Sequence, residues 1–423
     1  MKDNLLYLTN VADLFYFGLY SIVLLSLAFY LSKNRRLLFW GLAFNALIRI
    51  LSVFFHYYLG HVPFLGLGFP DSQEDAIFFF KGAKNINIDF IITKNFEIFT
   101  DGVLLYQVVL KSVLLITQSE HILVLALFNS ILSLITVYNC FKISSIIWKD
   151  YKTGITTVFI LGCLPVFITY SIITLREAIA AFFFSWSMLN LVYYHENRHI
   201  KSLLLAILFL IFGGLFHGGM MVAIPLVLLC VVFYLVKFKD KKIKQIVRIS
   251  IALFGVLGIV FLWRAGLGAD KLAKLSSKED QREFVKGRIE VLDLRGNSDL
   301  DYGNFVEIYS VSDLFKAGPY LYVNFLFRPK PLEYLADVFR LPGSWVMYLG
   351  TLFIFVYYKE FIIPLNKRIL IIVLFGTWFA FSLGCFNVGQ ADRHRMKLLP
   401  VFVCIMAKPI SDFRIKRFLN WKT

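Results

Sequence analysis

Long apolar stretches alternate with short polar ones along most of the chain. An apolar run of about 20 residues matches the hydrocarbon thickness of a bilayer when it folds as an α-helix. A helix also satisfies its own backbone hydrogen bonds in that environment. We predict about 11 transmembrane helices, at residues 14–32, 37–57, 121–141, 153–173, 178–195, 202–216, 219–236, 247–263, 344–358, 369–386 and 396–407. The pattern therefore predicts an all-α polytopic membrane protein, with residues 1–423 forming a single membrane domain.

One apolar run, over residues 202–236, is too long for a single crossing. Glycine pairs at 213–214 and 218–219 lie on either side of His217, and their conformational freedom provides a place for the chain to turn. We therefore divide this run into two spans. At the other end of the chain, the first apolar run lacks a small-residue cleavage site, so we expect a retained span rather than a signal peptide.

Composition agrees with a membrane protein. Hydrophobic residues make up 58% of the chain, charged residues make up 17%, and the mean hydropathy is +0.70. A soluble domain is typically about 25% charged. The five cysteines lie singly in apolar segments without a CxxC pair, so we expect small buried side chains rather than a metal cluster or a disulfide framework.

Basic residues are concentrated in the short loops on one side of the predicted membrane. These segments carry 22 Lys and Arg but only 5 Asp and Glu, and they are 33–36, 142–152, 196–201, 237–248, 359–368 and 408–423. The opposite segments carry 20 Lys and Arg and 23 Asp and Glu, and they are 1–13, 58–120, 174–177, 265–343 and 387–397. Cytoplasmic loops are enriched in Lys and Arg, which assigns the first set to the cytoplasm. The net charge of +16 then reflects topology and attraction to anionic membrane lipids, not nucleic-acid binding.

Two long segments are thereby assigned to the extracytoplasmic side. Residues 58–120 form the first outer loop, within which 101–117 is apolar but contains Lys111, so we predict interfacial helices there. Residues 265–343 carry mixed charge and a turn-rich centre, and we predict an extracytoplasmic cap segment lying on the helical bundle. The chain has no internal repeat of fixed period, which weakens the case for an inverted-repeat transporter.

The first outer loop contains three carboxylates within five residues: Asp71, Glu74 and Asp75. One interpretation is a solvated loop in which Asp71 or Ser72 caps the following helix. The other is a catalytic or metal-binding acid at the mouth of a cavity embedded in the membrane. If the helix begins by Asp71, then Asp71 and Asp75 lie four residues apart on one side of it.

Arg176 and His217 are predicted at turns on the same outer face. Arg176 lies either in a tight turn capped by Thr174 or Glu177, or in a position to bind an anion with its planar guanidinium. His217 is either a structural residue or a catalytic one, and its flanking glycines would let another group approach the backbone closely.

Further cations on the outer face lie in the second half of the chain. Residues 392–395 read Asp-Arg-His-Arg and precede the last predicted span. Arg393 and Arg395 either mark the headgroup boundary or bind phosphate, and they run against the charge bias that defines the topology. Arg328 and Lys330 belong to the same face.

Arg49 and Asn45 lie inside the second predicted span, where an arginine needs a partner or a wet cavity. The sequence does not identify that partner. The chain contains no P-loop, no GxGxxG fingerprint, no HExxH and no GxSxG, so nucleotide hydrolysis and serine-hydrolase chemistry are not indicated.

The arrangement resembles the GT-C class of integral membrane glycosyltransferases. The resemblance rests on the acidic cluster in the first outer loop, on the run 164–177 that ends in Leu-Arg-Glu, and on Asn-x-Gly-x-x-x-Arg-x-Arg at 387–395. The piece 175–217 is also similar to EpsG and Wzy-type polysaccharide polymerases. It contains Leu-Arg-x-x-Ile-Ala, a basic inner loop and then an outer histidine.

The resemblance implies a glycosyltransferase of the bacterial inner membrane whose active site faces outward. Its substrates would be a polyprenyl-phosphate- or pyrophosphate-linked sugar donor and a glycan acceptor, and its product an extracytoplasmic polysaccharide such as O-antigen, capsule or exopolysaccharide. A Wzy-type repeat-unit polymerase of the same pathway, and a transporter or flippase of lipid-linked glycans, are the alternatives.

The resemblance also assigns expected roles to the outer residues. The general base would come from the acidic cluster of Asp71, Glu74 and Asp75. Phosphate binding and stabilisation of the leaving group would come from the cations and the histidine of this face, namely Arg176, His217, Arg328, Arg393 and Arg395. A divalent metal ion on the acids is an open option that the residues do not demand.

The charge asymmetry makes the topology testable. A single cysteine introduced at Asp240, in the most basic loop, should react with a membrane-impermeant thiol reagent only after the cytoplasmic side is opened. A cysteine placed in the segment 265–343 should react in intact cells. Labelling of position 240 from outside would contradict the assignment.

Overall fold

The computed structural model describes residues 11–57, 70–87, 98, 101–235, 245, 311–328, 341–357, 359–360, 364–385 and 388–419. Within these ranges the chain is almost wholly helical and contains no strand. The α-helices are α1 (Val11–Ser32), α2 (Arg36–Tyr57), α3 (Pro70–Asn85), α4 (Gly102–Thr117), α5 (Ile122–Trp148), α6 (Tyr151–Gly162), α7 (Pro165–Ile172), α8 (Glu177–Asn197), α9 (Ile200–Phe216), α10 (Ala223–Cys230), α11 (Val311–Phe327), α12 (Leu341–Val356), α13 (Leu365–Ser382), α14 (Val388–Met396) and α15 (Leu399–Leu419).

The all-α, membrane-type fold predicted from the sequence is confirmed at this level. Among the described residues, α1, α2, α5 and α13 are long and apolar enough to cross a membrane, and the pair α6 and α7 adds a fifth span if the two count as one. The full count of 11 spans stays a prediction. The predicted span 247–263 lies outside the described residues, as does most of the cap segment 265–343, of which α11 is the main described part.

The predicted span 153–173 is not one straight helix. It is broken between α6 and α7, whose axes differ by 67°. The break falls at Cys163 and Leu164, directly before Pro165. Proline has no N–H for the helical ladder, and it disfavours helical geometry in the residue before it. Pro165 is therefore tolerated as the first residue of a new helix, which leaves in another direction.

Two further helix boundaries concern the chain around His217 and the start of α3. The helix α9 ends at Phe216, His217 is extended, and a 3₁₀ turn (Gly218–Val222) then leads into α10, so the long apolar run is interrupted where the glycine pairs predict. The helix α3 begins at Pro70, so Asp71 and Ser72 lie within its first turn. The interpretation of either residue as the N-cap is therefore wrong, because a proline already starts the helix.

The central helix of the described part is α5, which packs against α1, α2, α4, α6, α7, α8 and α15. Most of its side chains are buried on all sides, whereas α1 exposes most of its apolar surface. An α-helix that is apolar all round is typical of the interior of a bundle. The surrounding helices therefore pack around α5, whereas the apolar outer face of α1 is not covered by the described helices.

Arg49 is fully buried between α2, α5 and α7, and the structure identifies the partners that its position demands. Its Nη1 donates to the backbone oxygen of Asn45 at 3.0 Å and to Asn45 Oδ1 at 3.2 Å. Its Nη2 donates to Ser133 Oγ at 2.7 Å, and the guanidinium lies over the Phe167 ring at 5.3 Å. These partners are uncharged, so Arg49 joins three helices through hydrogen bonds and a cation–π contact.

The bond between Arg49 and Ser133 can be tested by a double-mutant cycle. Ser133→Ala removes the acceptor and leaves a buried charged donor unsatisfied, which should cost about 1–3 kcal/mol and lower the thermal unfolding midpoint in detergent. Adding Arg49→Met to that variant should restore part of the loss, because the unsatisfied group is then gone. Ser112→Ala is the control, since Ser112 bonds only within its own helix on an exposed face. Strictly additive effects would contradict the contact.

Candidate functional site

The turn between α7 and α8 is held in place by buried side chains of neighbouring helices. Asn129 Nδ2 donates to the backbone oxygens of Ile173 and Leu175, and the Tyr106 hydroxyl donates to Leu175 O at 2.9 Å. The Thr174 hydroxyl donates to Ala76 O of α3 at 2.7 Å. Thr174 therefore does not cap α8; it attaches the acidic helix α3 to this turn. Arg176 and Glu177 directly follow this hydrogen-bonded turn in the sequence.

Glu177 is the buried centre of the site, with its side chain only 2% exposed. Its Oε1 accepts a hydrogen bond from Arg393 Nε at 3.0 Å and lies 3.7 Å from Lys397 Nζ. Burial by itself raises the pKa of Glu177, but the charges of Arg393, Lys397 and Arg176 outweigh burial and hold that pKa at about 2. Glu177 is therefore ionised at neutral pH, and it organises the cations around it.

Arg393 connects two carboxylates that are far apart in the sequence. Its Nε binds Glu177 on α8, and its Nη1 forms an ion pair with Asp75 Oδ2 on α3. Burial lowers the pKa of Arg393, but the charges of Glu177 and Asp75 outweigh burial and raise it. The Asp75 side chain is 44% exposed, so this pair has one buried and one accessible carboxylate. Helix α3 is thereby joined to α14, the helix before α15.

Arg176 directly precedes Glu177, at the N-terminus of α8. Its Nη1 donates to Phe216 O at 3.3 Å, and its guanidinium lies over the Phe79 ring at 5.9 Å. Burial lowers the pKa of Arg176, while the adjacent charge of Glu177 acts to raise it. Its Nε is buried without a hydrogen-bond partner in the described structure. Arg176 therefore has donor capacity that its own neighbours do not use.

Two histidines and a lysine complete the site. The rings of His217 and His394 meet edge to face with 4.7 Å between their centroids, and both pack against Phe381. Lys397 Nζ lies 3.2 Å from His394 Nδ1, and its side chain is 1% exposed. The end of α9, the end of α13 and α14 therefore meet around His394, and Lys397 links this group to Glu177.

The structure brings together only some of the residues expected from the sequence. Arg393 pairs with Glu177 and with Asp75, Arg176 directly precedes Glu177, and His217 joins the site through His394. Arg395 is buried elsewhere, where its Nη1 donates to Leu326 O of α11 at 2.9 Å and its Nη2 pairs with Asp392. These contacts join α11 to α14.

The remaining expected residues lie at the edge of the described residues or outside them. Arg328 follows the last residue of α11 and is half-buried. Positions 71 and 74 belong to α3, but the side chains of Asp71 and Glu74 lie outside the described residues, as does Lys330. Among the residues that are described, no group of three or more His, Cys, Asp or Glu side chains is placed to hold a metal ion.

Lys397 and the central role of Glu177 were not identified from the sequence. Lys397 lies three residues after His394 and four after Arg393, a spacing that favours contact on one side of a helix or helical turn. The charge of Lys397 and its spacing from Arg393 and His394 could therefore have indicated it as a site residue. The role of Glu177 depends on its distance to residues more than 200 positions away, which no local pattern encodes.

Comparison of this chain with models of protein families, with curated proteins and with solved structures finds no match.

The two carboxylates that bind Arg393 should differ in their effect on stability. Glu177→Gln leaves Arg393 and Lys397 buried without a full countercharge, a loss that typically costs about 3–5 kcal/mol. Asp75→Asn removes a partly exposed partner and should cost about 0–1 kcal/mol. Thermal unfolding of the two purified variants in detergent measures the difference. Equal midpoints for the two variants would show that Glu177 is not the buried centre.

Proposed function

We propose that this chain is a membrane glycosyltransferase that uses a polyprenyl-phosphate- or pyrophosphate-linked sugar donor to build an extracytoplasmic polysaccharide. The observation that carries the proposal is the convergence of Arg176, Arg393 and Lys397 on buried Glu177, with accessible Asp75 at the edge. The residues come from segments that are distant in sequence. Such convergence in a mostly apolar helical protein is typical of a binding site.

The charge balance of this cluster favours an anionic ligand. Three cations face two carboxylates, and one of these, Glu177, is buried and paired with Arg393. If Asp75 moves away, Arg176 and Arg393 face the single carboxylate of Glu177, so the remaining cluster carries a positive surplus. A phosphate or pyrophosphate matches that surplus, and guanidinium groups are well suited to bind its oxygens.

Arg393 also supplies a geometric argument. A carboxylate and a phosphate present similar acceptor oxygens to a guanidinium. The Asp75 carboxylate therefore occupies, on Arg393 Nη1, a position that a donor phosphate can take. Because Asp75 is partly exposed and Glu177 is buried, the phosphate would replace Asp75 and leave the pair of Glu177 with Arg393 intact.

The same exchange would give Asp75 a catalytic role. Once released from Arg393, the Asp75 carboxylate accepts the proton of an acceptor hydroxyl. The hydroxyl oxygen forms a bond to the anomeric carbon of the donor sugar, and the bond from that carbon to the phosphate oxygen breaks. The phosphate leaves with the electron pair, and its charge is stabilised by Arg393 and Arg176.

The membrane arrangement supports a lipid-linked donor. Exposed apolar side chains cover α1 and the outer faces of α2 and α9, which are suitable surfaces for lipid and for a polyprenyl chain. In the proposed topology of about 11 spans, with the basic loops in the cytoplasm, the cluster faces the extracytoplasmic side of a bacterial inner membrane. The segment 265–343 would then cover this side as a cap.

The alternatives receive less support. A transporter is expected to place charges along a path at mid-depth in the membrane. The mid-span cation Arg49 is instead enclosed by uncharged partners and is 0% exposed. A repeat-unit polymerase would use the same chemistry with a larger lipid-linked acceptor, so the acceptor that is consumed distinguishes it from a transferase of single sugars.

The proposed base can be tested directly. Asp75→Asn should lower transfer from a polyprenyl-pyrophosphate-linked sugar by roughly 10²- to 10⁴-fold, because the variant keeps the shape of the side chain but cannot accept the proton. The assay uses membranes that contain equal amounts of each protein.

The matched control is Asp150→Asn. Asp150 lies in a loop predicted to be cytoplasmic and caps α6 by accepting from Lys152 N, a role that asparagine also fills. This control should transfer sugar at the wild-type rate. Wild-type transfer by Asp75→Asn would remove Asp75 from the mechanism, and absence of transfer by the wild-type protein with any lipid-linked sugar would oppose the proposed function itself.

A further inference from the structure

The start of α4 packs directly against the end of α9, beside Arg176 of the site. A Cβ atom on Gly102 would lie 2.6 Å from Leu215 O and 2.7 Å from Phe216 O, so only glycine permits this close approach. The same Phe216 oxygen accepts the hydrogen bond from Arg176 Nη1 at 3.3 Å. Because Asp101 directly precedes Gly102, the packing of the two helices brings Asp101 to the Arg176 end of the site.

Asp101 also acts on Arg176 through its charge. Burial lowers the pKa of Arg176, while the charges of Glu177, Asp101 and Asp75 act to raise it. Asp75 already pairs with Arg393. The Asp101 side chain is exposed, and its described hydrogen bond is to the backbone. Asp101 is therefore a second accessible carboxylate of the site, beside Arg176 rather than on Arg393.

The geometry of Asp101 leaves one of its carboxylate oxygens for a ligand. Its Oδ1 accepts from Val103 N at 2.8 Å and caps α4, which holds the side chain in place. Its Oδ2 accepts from none of the residues that the structure describes. An ionised carboxylate only accepts hydrogen bonds, so it suits a hydroxyl group and not a phosphate. Arg176 Nε and Glu177 Oε2 are also buried without a partner in the described part of the chain, so this end of the site has unused donor and acceptor atoms.

We propose that Asp101 accepts a hydrogen bond from a hydroxyl group of the donor sugar, while Arg176 binds the phosphate to which that sugar is attached. The proposal rests on the proposed function for the identity of the donor. The sugar is joined to its phosphate through one oxygen atom, so a carboxylate beside Arg176 is within reach of the first sugar ring. Asp75, on Arg393, meets the acceptor hydroxyl instead. Asp101 thereby selects donors whose first sugar carries a free hydroxyl group on the side of α4.

Replacement of Asp101 should act differently on the two parts of the donor. Asp101→Asn keeps the helix cap, because the asparagine oxygen accepts from Val103 N. The amide nitrogen, which only donates, then takes the place of Oδ2. Loss of the negative charge beside Arg176 removes a repulsion of phosphate, so the lipid pyrophosphate without sugar should bind equally well or more tightly. Loss of the acceptor oxygen should weaken binding only when the sugar is present.

The test measures dissociation constants of the purified full-length protein by native mass spectrometry. The probes are polyprenyl pyrophosphate and the same lipid carrying glucose, galactose or N-acetylglucosamine. We expect the wild-type protein to bind at least one sugar-linked lipid more tightly than the bare lipid. In Asp101→Asn the affinity for that sugar-linked lipid should fall by about 10-fold or more, the effect of losing one hydrogen bond to a charged group. Asp101→Ser also caps α4 but lacks the second oxygen, so it should show the same loss if the asparagine variant fails to fold.

Asp150→Asn is the matched control, because Asp150 caps α6 through Lys152 N in the same way but lies in a loop predicted to be cytoplasmic. This variant should bind every probe as the wild-type protein does. An equal effect of Asp101→Asn on the sugar-linked and bare lipids would overturn the proposal. Absence of any preference for a sugar in the wild-type protein would do the same, as would a raised KM for the acceptor with unchanged binding of the donor.

The bare lipid separates this inference from the proposed function. If the wild-type protein binds no polyprenyl pyrophosphate, the proposed function fails, and the role of Asp101 fails with it. If the bare lipid binds and its binding depends on Arg393, while Asp101→Asn leaves the sugar-linked lipid unaffected, the inference about Asp101 alone is contradicted.

Discussion

The buried ion pair between Glu177 and Arg393 is the interaction on which the site depends. It joins the first residue of α8 to α14 across 216 positions of sequence, and the Glu177 carboxylate is removed from water there, with its side chain 2% exposed. A carboxylate in such a place is costly unless it is paired. Glu177 in this place needs Arg393 and Lys397 beside it, and Arg393 in turn binds Asp75 of α3.

The two carboxylates that pair with Arg393 differ in burial and therefore in role. Glu177 is enclosed and keeps its charge because three cations surround it. Asp75 is partly exposed, and an exposed ion pair contributes little to stability, so it can be exchanged for a ligand at low cost. The pair with Glu177 fixes the position of the Arg393 guanidinium. The pair with Asp75 can be exchanged, which makes Nη1 of Arg393 available to a ligand. This division is what makes the cluster suitable for a phosphate.

The sequence predicted the helices well because a 20-residue apolar run has one structural solution in a bilayer. It also gathered Asp75, Arg176, His217 and Arg393 on one face, because topology alone assigns them there. It did not separate Arg393 from Arg395, which lie two residues apart and therefore on different sides of α14. It also treated 153–173 as one span, although Pro165 disfavours helical geometry in the residue before it and so indicates a break. Pairings such as Glu177 with Lys397 depend on helix packing and lie beyond any local pattern.

The central claim is that this cluster binds the phosphate of a polyprenyl-linked donor. Native mass spectrometry of the purified protein with a polyprenyl pyrophosphate, compared with the polyprenol of the same chain length, measures that claim directly. We predict binding of the pyrophosphate that weakens at least about 10-fold in Arg393→Gln, in line with the loss of one charge-assisted hydrogen bond, and weak binding of the polyprenol in both proteins. Equal binding of the two lipids, unchanged by Arg393→Gln, would contradict the account.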